Sequence, residues 1–381
     1  MSLVPIGWNG GGEGKTHMDS RERTFLALEH QTPDRIPIDF WASKGMIRKL
    51  EARLGLSYEE FLEVHDVDLH YLPGPEYVGP ALRGRGGGGS VDIWGVPRTI
   101  AEVPLADGAE QYAEVTEPPL AHATTVSEVA SYHHWPSPDW FRYEVVREQC
   151  EEIRRSGRVV VFMGDRLNRV AQLKPAMYLR GVEQILTDMM DRPDLAHAVF
   201  QRVRKFYVAY LDRILGAAGG GIDIVLTGDD FGAQTGPLVS PAMWEEYLRP
   251  GFADYLELIR SRGVRSMHHT CGSVAALIPR LIECGLDILQ SLQPEAEGMS
   301  PEALKAHFGS RLCFQGGVSI QWTMPFGTPA QIAEEVKRLA RVLGAGGGYI
   351  FCTSHNLQAD TPVRNVQALM ASYHEFGRYS T

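Results

Sequence analysis

The sequence predicts an α/β protein folded as a (β/α)8 TIM barrel, and three features of the chain carry that prediction. Eight short apolar or β-branched runs end in polar or glycine-rich residues. Segments with helical periodicity lie between most of them, which predicts parallel strands. Eight such units close a barrel, and 381 residues is a length that one barrel with insertions can have. A doubly wound open sheet is the alternative, because periodicity does not separate a closed parallel sheet from an open one.

The predicted strands and helices alternate along the chain. Ser240-Pro241 and Ser300-Pro301 are typical helix starts, and Gly263 and Gly285 are typical helix ends. The strands are predicted at residues 35–40, 67–74, 158–165, 222–230, 264–272, 286–294, 312–319 and 347–355. The helices are predicted at residues 142–156, 176–191, 194–217, 241–262, 274–284, 301–308 and 329–344.

One segment departs from this alternation. Residues 76–140 are rich in proline and contain the run SVDIWGVPRTIAEV, which is typical of a β-hairpin. We therefore expect an inserted hairpin and irregular arm after the second strand, covering one rim of the barrel. Residues 1–18 are expected to be a flexible leader, and residues 19–381 a single barrel domain.

Composition excludes several classes of function. A formal net charge of -10 and the lack of a basic cluster argue against nucleic-acid binding. The five cysteines are odd in number and widely spaced, so we expect free thiols and a cytoplasmic protein. No apolar run approaches the length of a membrane helix, so we expect no membrane partner. The sequence leaves open whether the chain is a monomer or a homodimer.

A candidate metal site lies at the predicted strand ends, where the active sites of such barrels lie. His269 and Cys271 are two residues apart and therefore point to the same side of an extended strand. Imidazole and thiolate are the ligands that zinc prefers. The last strand adds Cys352 and His355, either of which is a candidate third ligand, with a fourth position left open as in catalytic zinc sites. The plainer interpretation is a hydrogen-bonded core histidine with small apolar cysteines.

Several other polar residues follow the predicted strands. Asp229 and Asp230 lie in the run TGDDFGAQTG, where two adjacent carboxylates repel each other, so one is a candidate proton donor or substrate ligand. A helix-initiating loop is the alternative interpretation of this run. His268 is expected to face away from its neighbour and to be structural. The candidate substrate-binding residues are Asp39, Asp165, Gln234 and Gln315.

Five runs together resemble the uroporphyrinogen decarboxylase superfamily, which also contains corrinoid-dependent methyltransferases. They are TPDRIPIDFW, GDDFGAQTGPLVSP, HTCGSV, FQGGVS and SHNLQADTPVRNV, and the resemblance extends from about residue 19 to the end of the chain. It implies a (β/α)8 barrel. The arginine-containing stretch of true uroporphyrinogen decarboxylases, expected after the first strand, is replaced here by DFWASKGMIRKL. A substrate with many carboxylates needs such cations.

The resemblance implies three alternative functions. The methyltransferase branch binds zinc through a His-x-Cys pair and a later cysteine, and His269 and Cys271 match the pair, whereas His355 stands in the later position. The leading expectation is therefore a zinc-dependent methyltransferase that works with a corrinoid protein and a small methyl donor or acceptor. A cofactor-free decarboxylase acting on a tetrapyrrole or another carboxylated substrate is the first alternative. A corrinoid or tetrapyrrole carrier without turnover is the second.

Overall fold

The protein forms a curled parallel sheet surrounded by helices. The computed structural model describes residues 18–82, 90–105, 108–163 and 169–379, so Asp165 and almost all of the predicted leader lie outside the described residues. In chain order the strands are β1 (Leu69–Leu72), β2 (Glu76–Tyr77), β3 (Ser90–Val91), β4 (Pro97–Leu105), β5 (Gly108–Val115), β6 (Phe141–Arg142), β7 (Val159–Phe162), β8 (Ile224–Gly228), β9 (Arg265–His269), β10 (Ile288–Leu292), β11 (Cys313–Val318) and β12 (Tyr349–Thr353).

Seven of the eight predicted barrel strands are present. The strand order is β1-β7-β8-β9-β10-β11-β12, and every neighbouring pair is parallel. This order follows the chain without a reversal, as in a TIM barrel and unlike a doubly wound sheet. The prediction of a TIM-barrel-like α/β fold is therefore confirmed.

The predicted first strand, residues 35–40, does not form a regular strand but still joins both edges of the sheet. The Asp68 N–H donates to the Ile38 carbonyl over 2.9 Å on the β1 side. On the β12 side the Asp39 N–H donates to the Phe351 carbonyl over 2.9 Å. The segment therefore lies where the eighth strand of a barrel belongs.

Two local features prevent a continuous ladder in this segment. Pro37 has no N–H to donate. The Ile38 N–H donates to the carboxylate of Asp68 over 2.8 Å, so a side chain replaces a backbone acceptor. The predicted position of this segment is confirmed, but the prediction that it forms a regular strand is wrong.

The sheet encloses a small apolar core. Alternate strand residues point inward, and the larger apolar cluster fills the space between the sheet and the surrounding helices. The inner cluster consists of Leu28, Leu69, Val159, Val161, Ile224, Leu226, Met267, Ile288, Cys313 and Ile350.

The helices lie between successive strands, and their start signals are confirmed. Ser240 accepts the Met243 N–H and Ser300 accepts the Ala303 N–H, each over 3.2 Å. The α-helices are α1 (Ser20–Leu28), α2 (Lys44–Leu54), α3 (Tyr58–Val64), α4 (Val126–Ala130), α5 (Val145–Arg155), α6 (Leu173–Arg180), α7 (Val182–Asp191), α8 (Pro193–Ala218), α9 (Pro241–Met243), α10 (Arg249–Ser261), α11 (Ile278–Glu283), α12 (Pro301–Phe308), α13 (Thr323–Phe326), α14 (Pro329–Leu343) and α15 (Val363–Phe376).

Two predicted helices are interrupted. Residues 176–191 were expected to form one helix, but Gly181 adopts a φ of 93° and separates α6 from α7. The predicted helix 241–262 contains a π-helical turn, Trp244–Leu248, between α9 and α10. No helix in the described part of the chain is both long enough and apolar enough to cross a membrane.

The predicted insertion contains the expected hairpin. Strands β3, β4 and β5 form an antiparallel sheet, with Arg98 opposite Val115 in its long hairpin. The Glu110 carboxylate on β5 accepts the Ala359 N–H over 2.8 Å, just beyond β12. This contact places the hairpin at the carboxyl-end rim of the barrel.

Candidate metal centre

Three predicted ligands come together at the carboxyl end of the barrel. His269 is the last residue of β9, Cys271 lies two residues beyond it, and His355 lies two residues beyond β12. One ligand atom from each lies within 4.8 Å of the other two, and Cys271 Sγ is 3.4 Å from His269 Nε2. Within the described residues, no other group of three His, Cys, Asp or Glu side chains meets in this way.

Two loops hold the sulfur in place by direct backbone contact. A Cβ atom added to Gly272 would lie 2.5 Å from the carbonyl carbon of Gly232, and Gly272 has a φ of 79°. Only glycine fits such a contact at such a conformation. The Asp230 carboxylate also accepts the Cys271 N–H over 3.1 Å. The loop after β8 therefore fixes the loop that carries Cys271.

Both imidazoles are oriented by an amide oxygen. His269 Nδ1 lies 2.6 Å from Gln290 Oε1, and His355 Nδ1 contacts Asn356 Oδ1. Because a carbonyl oxygen only accepts, each Nδ1 carries the hydrogen and each Nε2 keeps its lone pair. Metal-binding histidines are typically oriented by such partners.

The geometry favours His355 over Cys352 as the third ligand. Cys352 is buried within β12, and its Sγ lies 4.0 Å from the Thr353 hydroxyl. It is not part of the three-residue group. Of the two candidates that the sequence left open, His355 is the one that lies in the group with His269 and Cys271.

Burial favours the neutral forms of His269 and of the Cys271 thiol. Burial lowers the pKa of His269 well below its ordinary value, and Arg169 adds to that effect. Burial raises the pKa of the Cys271 thiol to about 12, and the charge of Asp230 contributes. A bound cation would reverse the effect on the thiol, since metal ions deprotonate the sulfur that they bind.

The donor set fits zinc. Two imidazole nitrogens and one sulfur are typical zinc ligands, and three protein ligands leave a fourth position open. With zinc–nitrogen and zinc–sulfur bonds of about 2.0 and 2.3 Å, a tetrahedral site would separate the two ligand atoms by about 3.5 Å. The 3.4 Å between Cys271 Sγ and His269 Nε2 agrees with that value.

Asp229 and Asp230 have different surroundings. The Asp229 carboxylate accepts three N–H groups at the start of α6, from Gln172, Leu173 and Lys174, over 2.6, 3.0 and 2.7 Å. Burial raises the pKa of Asp229 to about 6, although these three donors oppose the rise. Its contacts are those of a carboxylate that anchors a helix.

Asp230 instead faces the candidate metal ligands. Its Oδ1 is 3.6 Å from His269 Nε2, and its Oδ2 is 2.6 Å from Lys174 Nζ. Burial alone would raise the pKa of Asp230, but the charge and hydrogen bond of the Lys174 ammonium and the Cys271 N–H hold the pKa below its usual range. The carboxylate is therefore charged beside the site.

Two of the predicted substrate-binding residues meet inside the barrel, and a third does not join them. The carboxylate of Asp39 accepts from the amide of Gln315 and, over 2.6 Å, from the hydroxyl of Tyr71. Gln234 lies on the rim loop with its side chain exposed. Its main-chain carbonyl accepts the Glu297 N–H over 2.9 Å.

Several residues at the site were missed or left without a role in the sequence analysis. The Trp41 ring packs 5.9 Å from the His269 ring and 5.2 Å from the His355 ring. Trp41 directly follows the first predicted strand, so its position at a strand end indicates a place at the site. Lys174 pairs with the strand-end carboxylate of Asp230, but it lies on α6, where no strand-end pattern points to it.

His268 points away from the candidate ligands, as expected from strand alternation. Its Nδ1 is 2.8 Å from the hydroxyl of Thr227, and its ring stacks on Phe231 at 5.0 Å. Burial lowers its pKa to about 3, so the ring is neutral. These contacts agree with the structural role predicted for it.

The comparison with protein families decides where this chain belongs. The sequence model of the uroporphyrinogen decarboxylase family matches residues 89–376, well over half of the chain. The chain belongs to the uroporphyrinogen decarboxylase family. The family resemblance inferred from the five sequence runs is therefore confirmed.

Relatives within this family carry two kinds of name. A uroporphyrinogen decarboxylase from Anaeromyxobacter dehalogenans is 26% identical over 52% of this chain and 53% of that protein. A methylcobamide:CoM methyltransferase from Methanosarcina barkeri is 25% identical over 52% of this chain and 54% of that protein. The chain thus matches about half the length of each of these two relatives.

A solved structure supports the fold over nearly the whole chain. A methyltransferase from Methanosarcina mazei superposes with a TM-score of 0.65 at 20% identity, covering 94% of this chain and 99% of that one. At that identity the likeness shows a shared fold and does not identify the reaction.

Proposed function

We propose that this protein is a zinc-dependent methyltransferase that moves a methyl group between a corrinoid protein and a small acceptor or donor. The observation that carries the proposal is the meeting of His269, Cys271 and His355, with ligand atoms within 4.8 Å of one another, at the carboxyl end of the barrel. A decarboxylase that works without a metal does not require a cluster of metal-binding side chains. The methyltransferase names among the relatives point the same way.

The chain prepares this site before any metal binds. A bound zinc ion supplies a Lewis acid that lowers the pKa of a thiol, hydroxyl or water at its open position. Gln290 and Asn356 orient the two imidazoles, and the Asp230 carboxylate holds the backbone of Cys271. Little rearrangement is therefore needed when the metal enters.

Of the two adjacent aspartates, Asp230 is the stronger candidate for contact with substrate. Lys174 holds it in the charged form, and it lies beside the ligands. A charged carboxylate there accepts a hydrogen bond from a substrate thiol, hydroxyl or amine and orients it. Asp229 acts one step away, because it anchors the start of α6, which carries Lys174.

A decarboxylase is the second candidate, and the names of several relatives favour it. Against it stands the segment DFWASKGMIRKL, which lacks the arginines expected to bind a tetrapyrrole with many carboxylates. Elemental analysis separates the two candidates, because only the methyltransferase needs a metal.

The test is the metal content of protein purified without chelators. We expect about one equivalent of zinc in the natural protein and none in His269→Ala or Cys271→Ala, since two ligands hold a catalytic zinc poorly. Cys284→Ala is the matched control, because Cys284 is also a half-buried free thiol but lies outside the cluster. Metal-free natural protein, or zinc retained in both ligand variants, would contradict the proposal.

Activity provides the second part of the test. Methylcobalamin replaces the corrinoid protein, and its conversion to cob(I)alamin in the presence of a small thiol is followed by absorbance. We expect conversion with zinc-loaded natural protein and loss of it in the two ligand variants. Carbon dioxide release from a porphyrinogen without metal would instead establish the decarboxylase.

A further inference from the structure

A belt of polar side chains lines part of the barrel interior next to the candidate metal centre. It runs from His269 on β9 through Gln290 on β10 to Gln315 on β11, passes β12, and continues to Asp39 in the segment 35–40 and Tyr71 on β1. Hydrogen bonds join His269 to Gln290 over 2.6 Å and Asp39 to both of its neighbours. The belt caps the apolar inner cluster, whose members lie two residues earlier on several of the same strands.

Three atoms of the belt are left without a hydrogen bond. Gln290 Nε2, Gln315 Oε1 and Asp39 Oδ1 are buried and have no partner among the described residues. The residues that carry them are 0, 0 and 2% exposed. Buried polar groups are nearly always paired, since leaving one unpaired costs about 1–3 kcal/mol. A bound molecule that pairs all three would remove that cost.

The hydrogen bonds of the two glutamines indicate which of these amide atoms donate and which accept. Gln290 uses its Oε1 on the imidazole of His269, so its Nε2 is a donor without a partner. Gln315 uses its Nε2 on the carboxylate of Asp39, so its Oε1 is an acceptor without a partner. Gln290 and Gln315 come directly after the register pair Leu289 and Phe314 on the neighbouring strands β10 and β11, at the point where the register of the two strands shifts.

We propose that these atoms bind a hydroxyl group of the small methyl donor or acceptor. The hydroxyl oxygen accepts from Gln290 Nε2, and its hydrogen is donated to Gln315 Oε1 or Asp39 Oδ1. The inference rests on the proposed function only in taking the bound molecule to be the substrate.

Other groups match the belt less well. A carboxylate or sulfonate would face two acceptor oxygens, and an ammonium would leave Gln290 Nε2 without an acceptor. A thiol is a weak donor and a weak acceptor. A hydroxyl both donates and accepts, so it also fits if Asp39 carries a proton on Oδ1. Two hydrogen-bonding roles in one small group therefore favour an alcohol.

The experiment compares matched ligands by saturation-transfer NMR and calorimetry on the full chain. Benzyl alcohol and ethanol are the hydroxyl probes, and toluene is the partner of benzyl alcohol that lacks the hydroxyl. We expect benzyl alcohol to bind about tenfold or more tightly than toluene, because a site built for a hydroxyl rejects the analogue without it. In Gln315→Met that ratio should fall toward one.

Two further variants keep the test interpretable. Gln290→Met removes the donor Nε2 and should also reduce the ratio, so the test survives if Gln315→Met fails to fold. Gln321→Met replaces an exposed glutamine on the loop after β11 and should leave the ratio unchanged. Equal binding of benzyl alcohol and toluene, a ratio unaltered in both belt variants, or no binding of either alcohol would overturn the inference and indicate a belt that binds only water.

Metal content measured on the same samples separates this inference from the proposed function. Hydroxyl preference in a protein that binds no zinc would contradict the methyltransferase and leave the belt assignment standing. Protein that binds zinc and transfers methyl groups but shows no preference for a hydroxyl would support the methyltransferase and contradict the belt assignment.

Discussion

The two ends of the barrel differ in how the buried side chains next to the strand ends are paired. At the amino end, an aspartate stands directly before each of three strands: Asp68 before β1, Asp223 before β8 and Asp287 before β10. Each accepts an N–H from a neighbouring segment, over 2.8, 3.0 and 2.8 Å, and each also pairs with at least one arginine. These carboxylates stabilise the amino end of the barrel, which lies opposite the end where active sites of such barrels are found.

At the carboxyl end, several buried polar atoms have no hydrogen-bond partner among the described residues. The polar belt includes three buried atoms without partners among the described residues, and two imidazoles and a thiol gather beside it. Unpaired groups weaken a fold and prepare it for a ligand. The comparison shows how one barrel separates stability and binding between its two ends.

The largest effect is expected from breaking the amino end. Asp68 is fully buried between Arg23 and Arg35, which donate over 2.7 and 2.6 Å. Asp68→Ala removes the buried carboxylate that Arg23 and Arg35 share and the acceptor of the Ile38 N–H, so the free energy of unfolding should fall by about 3–5 kcal/mol. Urea denaturation measures the change. A loss below about 1 kcal/mol would show that this end does not carry the stability assigned to it.

A smaller effect, dependent on pH, is expected at the belt. Burial raises the pKa of Asp39 to about 7, and the charge of Asp68 adds to this while Tyr71 and Gln315 oppose it. In an unfolded chain the pKa is about 3.9. The folded state therefore binds the proton more tightly, so its stabilising contribution is full below about pH 4 and is lost as the pH rises through 7.

Comparison with Asp39→Asn isolates this contribution. Between pH 4 and 8 the natural protein should lose on the order of 1–3 kcal/mol of stability relative to the variant. Asp34 at the amino end provides the contrast, because Arg23 overcomes burial and lowers its pKa. Its contribution is lost as the pH falls. Parallel stability profiles for the natural protein and Asp39→Asn would refute the raised pKa.

At the metal centre, the orienting amide offers a finer test. Gln290→Leu removes the oxygen that holds His269 Nδ1. We expect zinc affinity to fall by about 10–100-fold, as is typical when such a partner is lost. Competition with a chromogenic chelator measures the affinity. Gln321→Leu is the control, and equal affinities for the two variants would mean that Gln290 does not orient the ring.

The smallest effect is expected from a surface ion pair. Glu302 and Arg338 lie 2.6 Å apart, with side chains 52 and 37% exposed. Glu302→Gln should change the free energy of unfolding by less than about 1 kcal/mol, because solvent screens exposed pairs. Urea denaturation beside Asp68→Ala makes the comparison. A change as large as that of Asp68→Ala would mean that burial is not what distinguishes the amino end.

Much of the fold could be predicted because strand and helix patterns are local. The segment 35–40 was the exception, since the loss of its ladder depends on Pro37 and on a carboxylate contributed by Asp68, which lies beyond the next helices. The π-helical turn within the predicted helix 241–262 likewise leaves no mark in the apolar pattern.

The candidate site was predictable where strand alternation decides the direction of a side chain. His269 and His268 alternate within β9, and the structure places them on opposite faces. Alternation ends where the strand ends, so the sequence could not choose between Cys352 and His355, nor assign Asp229 to a helix start and Asp230 to the ligands. Those choices depend on loop paths set by contacts between distant segments.

The contact between Gly232 and Gly272 has a consequence for how this protein can change over evolutionary time. Any side chain at either position would collide with the opposite main chain, since a new carbon would lie no more than 2.7 Å from it. The contact therefore keeps the Cys271 loop in place while the rim and the hairpin remain free to vary. Both Gly232 and Gly272 are therefore expected to remain glycine in descendants of this protein.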